Sequence, residues 1–135
     1  MIVIDTNVIS YFFVECEHTQ SAKRMLLRDA RWAAPLLWRS ELRNMLVKLF
    51  KKALIERDDA FRILYEAESL LSGGEYRVGS ADVLDLALSS KCSAYDAEFV
   101  VLARELRVPL VTTDKELLEK FPGTALTPEA FLARP

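Results

Sequence analysis

At 135 residues, 51% of them hydrophobic and 28% charged, the chain can bury a core and is too apolar to be disordered. A formal net charge of −2 excludes a global basic field, so any RNA-binding surface must be a local patch. No apolar run reaches the ~18–20 residues of a membrane span, and no basic leader precedes an apolar stretch, so a soluble cytoplasmic protein without a membrane role is expected.

In chain order, Ile2 to Ile4 reads as a short buried strand, and Asp5-Thr6-Asn7 turns it into an apolar helical segment from Val8 to Val14. His18 to Arg31 is a second helix, with Ala22, Met25 and Leu26 at helical spacing, followed by a short strand over Ala33 to Leu37. Cys16, before that helix, and Cys92 stand too far apart for a metal-ligand motif and read as reduced thiols. The clearest amphipathic helix spans Trp38 to Ala53, where Leu42, Met45, Leu46, Leu49 and Phe50 form the buried stripe. Asn44, Lys48 and Lys52 fall near the face that carries Glu41.

A helix from Arg57 to Leu71 stops at Gly73-Gly74, and Tyr76 to Val78 is a short strand. Ser80 caps a helix reaching Ser90, and Ser93 starts another from Ala94 to Leu106. Pro109 precedes the strand Leu110 to Thr113, which leads into a short helix from Asp114 to Lys120. Ala125-Leu126 forms an edge strand, and Thr127-Pro128-Glu129 opens a last helix. This alternation predicts one α/β domain over 1–135, with a central parallel sheet covered on both faces.

In such a sheet, ligands bind outside the carboxyl ends of the strands. Asp5 and Asp114 each follow a strand, Asp96 opens the helix before the second of those strands, and Glu41 lies early in the amphipathic helix. Four anions brought together there need a cation to neutralise them. With only oxygen donors and no nearby His or Cys, the set suits Mg²⁺ or Mn²⁺ rather than zinc. Each acid also has a plain structural role. Asp5 and Asp114 suit helix N-caps, Thr113 with Glu116 and Ser93 with Asp96 fit capping boxes, and Glu41 complements a helix dipole from the first turn. Joint placement favours a site, and capping is compatible with it. Glu98 is an outer candidate, while Asp82 and Asp85 share a helix face that could approach. The lone histidine, His18, reads as an exposed helix-start residue.

Val3-Ile4-Asp5-Thr6-Asn7, Ser40-Glu41, Ser93-Ala94-Tyr95-Asp96-Ala97 and Val111-Thr112-Thr113-Asp114 resemble, in order and over essentially the whole chain, the motifs of PIN-domain ribonucleases, in particular VapC-type toxins. The resemblance implies a PIN-like three-layer α/β/α sandwich and an Mg²⁺- or Mn²⁺-dependent endoribonuclease acting on RNA. It implies a toxin, commonly a homodimer, held by a VapB-like antitoxin whose C-terminal segment wraps over the active site. Asp5, Glu41, Asp96 and Asp114 match the family's acidic quartet, with Thr6 or Asn7 and Thr112 or Thr113 as supporting polar groups. Arg39, Arg43, Lys48, Lys51 and Lys52, on the helix of Glu41, are the candidate phosphate contacts.

Three other readings compete. A signalling receiver domain wants an adjacent acidic pair after the first strand, where Asp5 stands alone. A haloacid-dehalogenase-like phosphatase wants D-x-D, and position 7 is Asn7. A non-catalytic binding protein that keeps the fold and the metal pocket is the more serious alternative, and retention of all four acids weighs against it.

Overall fold

The computed structural model describes all 135 residues. Its strands are β1 (Ile2–Ile4), β2 (Trp32–Pro35), β3 (Glu75–Tyr76), β4 (Leu110–Val111) and β5 (Ala125–Leu126). They form one sheet in the order β3-β2-β1-β4-β5, every pair parallel. Ile2 stands opposite Trp32, Val3 opposite both Ala33 and Leu110, and Ile4 opposite Val111. β1 is central and buried along its whole length, which is why it reads as an unbroken apolar run rather than an alternating one.

The helices are α1 (Thr6–Phe13), α2 (Thr19–Arg28), α3 (Leu37–Lys51), α4 (Arg57–Leu70), α5 (Ser80–Ser90), α6 (Ala94–Leu106), α7 (Lys115–Lys120) and α8 (Pro128–Leu132). From β1 to β3 the chain moves towards one edge of the sheet, then crosses back through α5 and α6 to β4. Right-handed crossovers therefore put α1 to α4 on one face and α5 to α7 on the other, giving three layers. Contacts agree: α1 packs on α2, α3 and α4, whereas α6 packs on α5 and across β1, β2 and β4. Ala97, Phe99, Val100, Val101, Leu102 and Ala103 of α6 are all buried, as expected of a helix lying between the sheet and α5.

The sequence-based boundaries shift by a few residues. α2 stops at Arg28, because the sheet recruits Trp32 to pair with Ile2. The predicted strand over 33–37 is β2 at 32–35, and Leu37 already belongs to α3. Thr113 lies outside β4; the last link along that edge is the Thr112 N–H donating to the Leu126 carbonyl at 3.0 Å. Phe50, expected in the buried stripe of α3, is 53% exposed.

The order reverses between β1 and β4. Their carboxyl ends are thus the switch point of the sheet, where adjoining crossovers leave on opposite faces and open a crevice.

Candidate active site

Asp5 leaves β1 at this switch point. Its backbone N–H donates to the Val111 carbonyl at 3.1 Å, which pins the first acid to the end of β4. Asp5 occupies the N-cap position of α1, yet its side chain makes no capping bond. Instead the Thr112 hydroxyl donates to Asp5 Oδ2 at 2.6 Å, and Thr112 Oγ1 in turn accepts from the Asp114 N–H at 3.0 Å. Thr112 is fully buried and Asp5 is 9% exposed. One hydroxyl therefore orients the first acid and fixes the backbone of the fourth.

Asp114 does cap. Its Oδ1 accepts from the N–H groups of Glu116 and Leu117 at 2.8 and 3.2 Å. The expected Thr113–Glu116 box is therefore absent: Asp114 itself is the N-cap, and the Thr113 hydroxyl sits 2.9 Å from the Tyr11 hydroxyl. At α6, Ser93 Oγ accepts from the Asp96 N–H at 3.0 Å, and the return bond of a capping box is not made. That leaves the Asp96 carboxylate without a cationic partner, with only the Ser93 hydroxyl acting to lower its pKa. Glu41 is the fifth residue of α3, beyond the first turn, so the dipole explanation fails for it. The Thr6 hydroxyl donates to Glu41 Oε1 at 2.7 Å and ties α3 to the start of α1. Thr6 and Thr112 orient Glu41 and Asp5 through their hydroxyls, whereas the Asn7 side chain is exposed and it is the backbone N–H groups of Thr6 and Asn7 that act on Asp5.

The four acids feel one another. Burial pushes Asp5 above its ordinary pKa, opposed by the Thr112 hydrogen bond, and the charge of Asp114 adds to the rise. Burial raises Glu41 as well, opposed by Thr6 and reinforced by Asp5, Asp96 and Glu98. Asp96 is raised by burial, then by Asp114, Asp5 and Glu116. None of the four belongs to any of the ion pairs in the molecule. A group of neighbouring, partly buried carboxylates without a cationic partner is chemically suited to a hard divalent ion. As they stand, no three carboxylate, imidazole or thiol groups are drawn into a closed metal shell.

Sequence reasoning missed one neighbour. Cys92 lies near Asp96, so a thiol is present after all; burial and Asp96 raise its pKa and keep it protonated, which makes it a poor ligand. Glu98 is close enough to act on Glu41, as an outer group would be, while Asp82 and Asp85 are exposed and act on none of the four. His18 immediately precedes α2, with its ring 4.6 Å from that of Tyr11.

The basic residues of α3 do not form one patch. Arg39 is committed elsewhere: its guanidinium donates to Glu75 Oε1 and Oε2 at 2.7 and 3.1 Å and to Glu68 at 3.1 Å. It is therefore no free phosphate contact. Arg43 bonds Ser40 Oγ at 3.0 Å and lies with Lys51 along an apolar groove between α3 and α4. At ~100° per residue, Arg39 and Arg43 are each ~160° from Glu41, so the helical period alone places them on the far side. Lys48 and Lys52 share the Glu41 side and line a hollow with Ser10 and Tyr11. Tyr11 reaches Thr113, so this hollow adjoins the acids.

The PIN domain family model matches residues 2–122. Over 125 residues the chain is 30% identical to Ribonuclease VapC3 of Pyrobaculum aerophilum, covering 90% of this chain and 95% of that relative. The crystal structure of PAE2754 from Pyrobaculum aerophilum superposes with a TM-score of 0.78 at 24% identity, covering 98% of this chain and 94% of that one. A toxin-antitoxin complex from Klebsiella pneumoniae gives a TM-score of 0.67 at 19% identity, with 95% and 98% covered. FitAcB from Neisseria gonorrhoeae gives 0.68 at 18% identity, with 96% and 99% covered. At such identities the three structures speak for the fold.

Proposed function

The chain belongs to the PIN-domain family, and from that premise we propose that it is an Mg²⁺- or Mn²⁺-dependent endoribonuclease, the toxin of a VapBC-type toxin–antitoxin pair. The single observation that carries the reading is the set of Asp5, Glu41, Asp96 and Asp114, gathered at the sheet's switch point with no cation paired to any of them. The ribonuclease named among its relatives supplies the reaction class.

Asp5, Asp96 and Asp114 would hold the metal, and Glu41 would orient the attacking water or complete a second site. The ion supplies neutralisation of the phosphate, clamping of its oxygens and a lowered pKa for water. The chain's own residues prepare that site. Thr112 holds Asp5 in one rotamer, Thr6 does the same for Glu41, and the cap at Asp114 Oδ1 leaves its other oxygen free to face the crevice. Lys48 and Lys52, which line a hollow with Tyr11, are the basic groups that would meet a phosphate flanking the scissile bond.

Two exposed apolar faces support the proposed protein partners. The groove between α3 and α4, about 420 Å³, is walled by Val47, Phe50, Phe61 and Leu64 and edged by Arg43 and Lys51. Apolar walls with basic edges suit an amphipathic, acidic antitoxin segment. On α5, Leu84 and Leu88 stand one turn apart, 57% and 72% exposed, and suit a homodimer contact.

The test is cleavage of a mixed RNA pool by the purified chain with Mg²⁺, Mn²⁺ or EDTA, beside Asp96→Asn. Fragments that require both metal and Asp96 are expected. A folded, antitoxin-free protein that cleaves nothing in any metal would instead be a binding protein.

A further inference from the structure

We propose a second phosphate-binding site for RNA, on the end of the sheet opposite the acids, built from Arg104, Arg107 and Arg134. It deepens the ribonuclease reading and rests on it for the identity of the ligand. Val108 and Pro109, just before β4, and Gly123 and Thr124, just before β5, floor a cleft of about 320 Å³. Because both strands run parallel, these residues mark the amino ends of the sheet, whereas Asp5 and Asp114 follow its carboxyl ends.

Three guanidinium groups from two distant segments line this cleft, and no carboxylate does. The C-terminal dipoles of α6 and α8 each favour a nearby basic residue, but neither requires that Arg104, Arg107 and Arg134 converge on one cleft. None of the three takes part in an ion pair. In a chain of net charge −2, three arginines without an acidic partner in one cleft are a local departure from the whole.

Arg104 is held in place. Its guanidinium lies 5.4 Å from the Phe121 ring centre, and its Nε donates to Thr124 Oγ1 at 3.3 Å, so its terminal nitrogens are left for a ligand. Arg107 is fixed at the backbone by the C-cap of α6, where its N–H donates to the Arg104 carbonyl at 3.2 Å. Arginine forks match phosphate oxygens, and pre-positioned ones lose less entropy on binding.

α6 links the two sites. Asp96 lies in its first turn and Arg107 caps its end, eleven residues on, a separation of ~16 Å along the helix. An RNA strand engaged at the acids can therefore reach the arginines only if it extends at least that far past the scissile phosphate. The cleft holds RNA and does no chemistry, so it acts on substrate affinity and on the length of RNA preferred.

The test is fluorescence anisotropy with single-stranded RNA across a salt series, in an Asp96→Asn background that prevents cleavage. Arg107→Ala with Arg134→Ala, which leaves the packed Arg104 in place, is compared with Lys23→Ala with Arg24→Ala, an equal charge change on the exposed side of α2. For an oligonucleotide long enough to bridge ~16 Å, the arginine pair is expected to lower the log–log salt slope by ~1.4, at ~0.7 for each phosphate contact. An oligonucleotide too short to bridge can occupy the acids or the arginines but not both, so the arginine pair should lower its slope by less than that of the long one.

An unchanged slope for the long RNA, or equal loss for short and long, would overturn the site. So would loss of poly-glutamate binding with the RNA slope intact, which would assign the cleft to an acidic protein segment. If wild-type protein cleaves no RNA in any metal while the arginine-dependent slope is present, the nuclease reading fails and the cleft stands.

Discussion

Two groups of carboxylates flank α3, and they are treated in opposite ways. In β3, Glu75 accepts from the Trp38 indole N–H at 2.9 Å and from Arg39 at 2.7 and 3.1 Å, while Glu68 takes a third bond from the same guanidinium. This cluster meets its charges with a charge of opposite sign and closes on itself. On the other side of the helix, Asp5, Glu41, Asp96 and Asp114 have only neutral donors, namely the hydroxyls of Thr112 and Thr6 and backbone N–H groups. Hydroxyls and amides orient carboxylates without neutralising them. The difference separates an ion cluster that is closed within the fold from a group of acids with no counter-charge of its own, as the proposed metal site requires.

The sharpest way to break that comparison is to neutralise one acid of each group. Asp96→Asn is expected to reduce metal-dependent RNA cleavage about 10³-fold, equivalent to ~4 kcal/mol, in single-turnover assays, with the fold intact. Glu75→Ala should do the reverse. It strands the indole N–H of Trp38, which is fully buried, and should cost about 1–3 kcal/mol in urea unfolding while leaving cleavage unchanged. If Glu75→Ala lost activity as Asp96→Asn does, the two groups would not be separable.

The orienting hydroxyls offer a finer test. Thr112→Val keeps the shape and removes the donor to Asp5, and should lower metal affinity or activity about 10- to 100-fold, read as a shift in the Mn²⁺ concentration that half-saturates cleavage. An unchanged midpoint would mean that Thr112 supports β4 and not the site.

The smallest effect is on stability, and its sign distinguishes the groups again. Asp5, Glu41 and Asp96 have folded-state pKa values raised above their ordinary 3.8 to 4.5. Each therefore contributes stability that is present below those ordinary values and lost as pH rises through the folded-state pKa. In EDTA, Asp96→Asn should match the parent near pH 3.5 and become more stable than it by about 1 kcal/mol towards neutrality. A variant that lost stability relative to the parent over that interval would show that Asp96 is not strained by its neighbours.

Much of this was legible in the sequence, because the signals were local. The apolar run of β1, the cap at Ser93, the glycine stop after α4 and the Thr127-Pro128 start of α8 each act within a few residues, and all fall where expected. The recurrence of Asp5 and Asp114 after strands placed both acids at one end of the sheet. Other features depend on contacts distant in sequence. That Asp5 is held by Thr112 rather than capping α1 requires the β1–β4 pairing, and the loss of Arg39 to Glu75 and Glu68 requires β3 and α4 to meet α3. Phe50 follows the same helical period whether it faces the core or an open groove, so only the position of α4 reveals its exposure. The split of the basic residues was different: the helical period already put Arg43 opposite Glu41.

Titration of Mn²⁺ into the metal-free chain by calorimetry tests most directly whether the four acids bind a divalent cation. Saturable binding to the parent, weakened at least tenfold in Asp5→Asn and unchanged in Glu75→Ala, is the predicted result. No binding to the folded parent, or equal binding to Asp5→Asn, would contradict it.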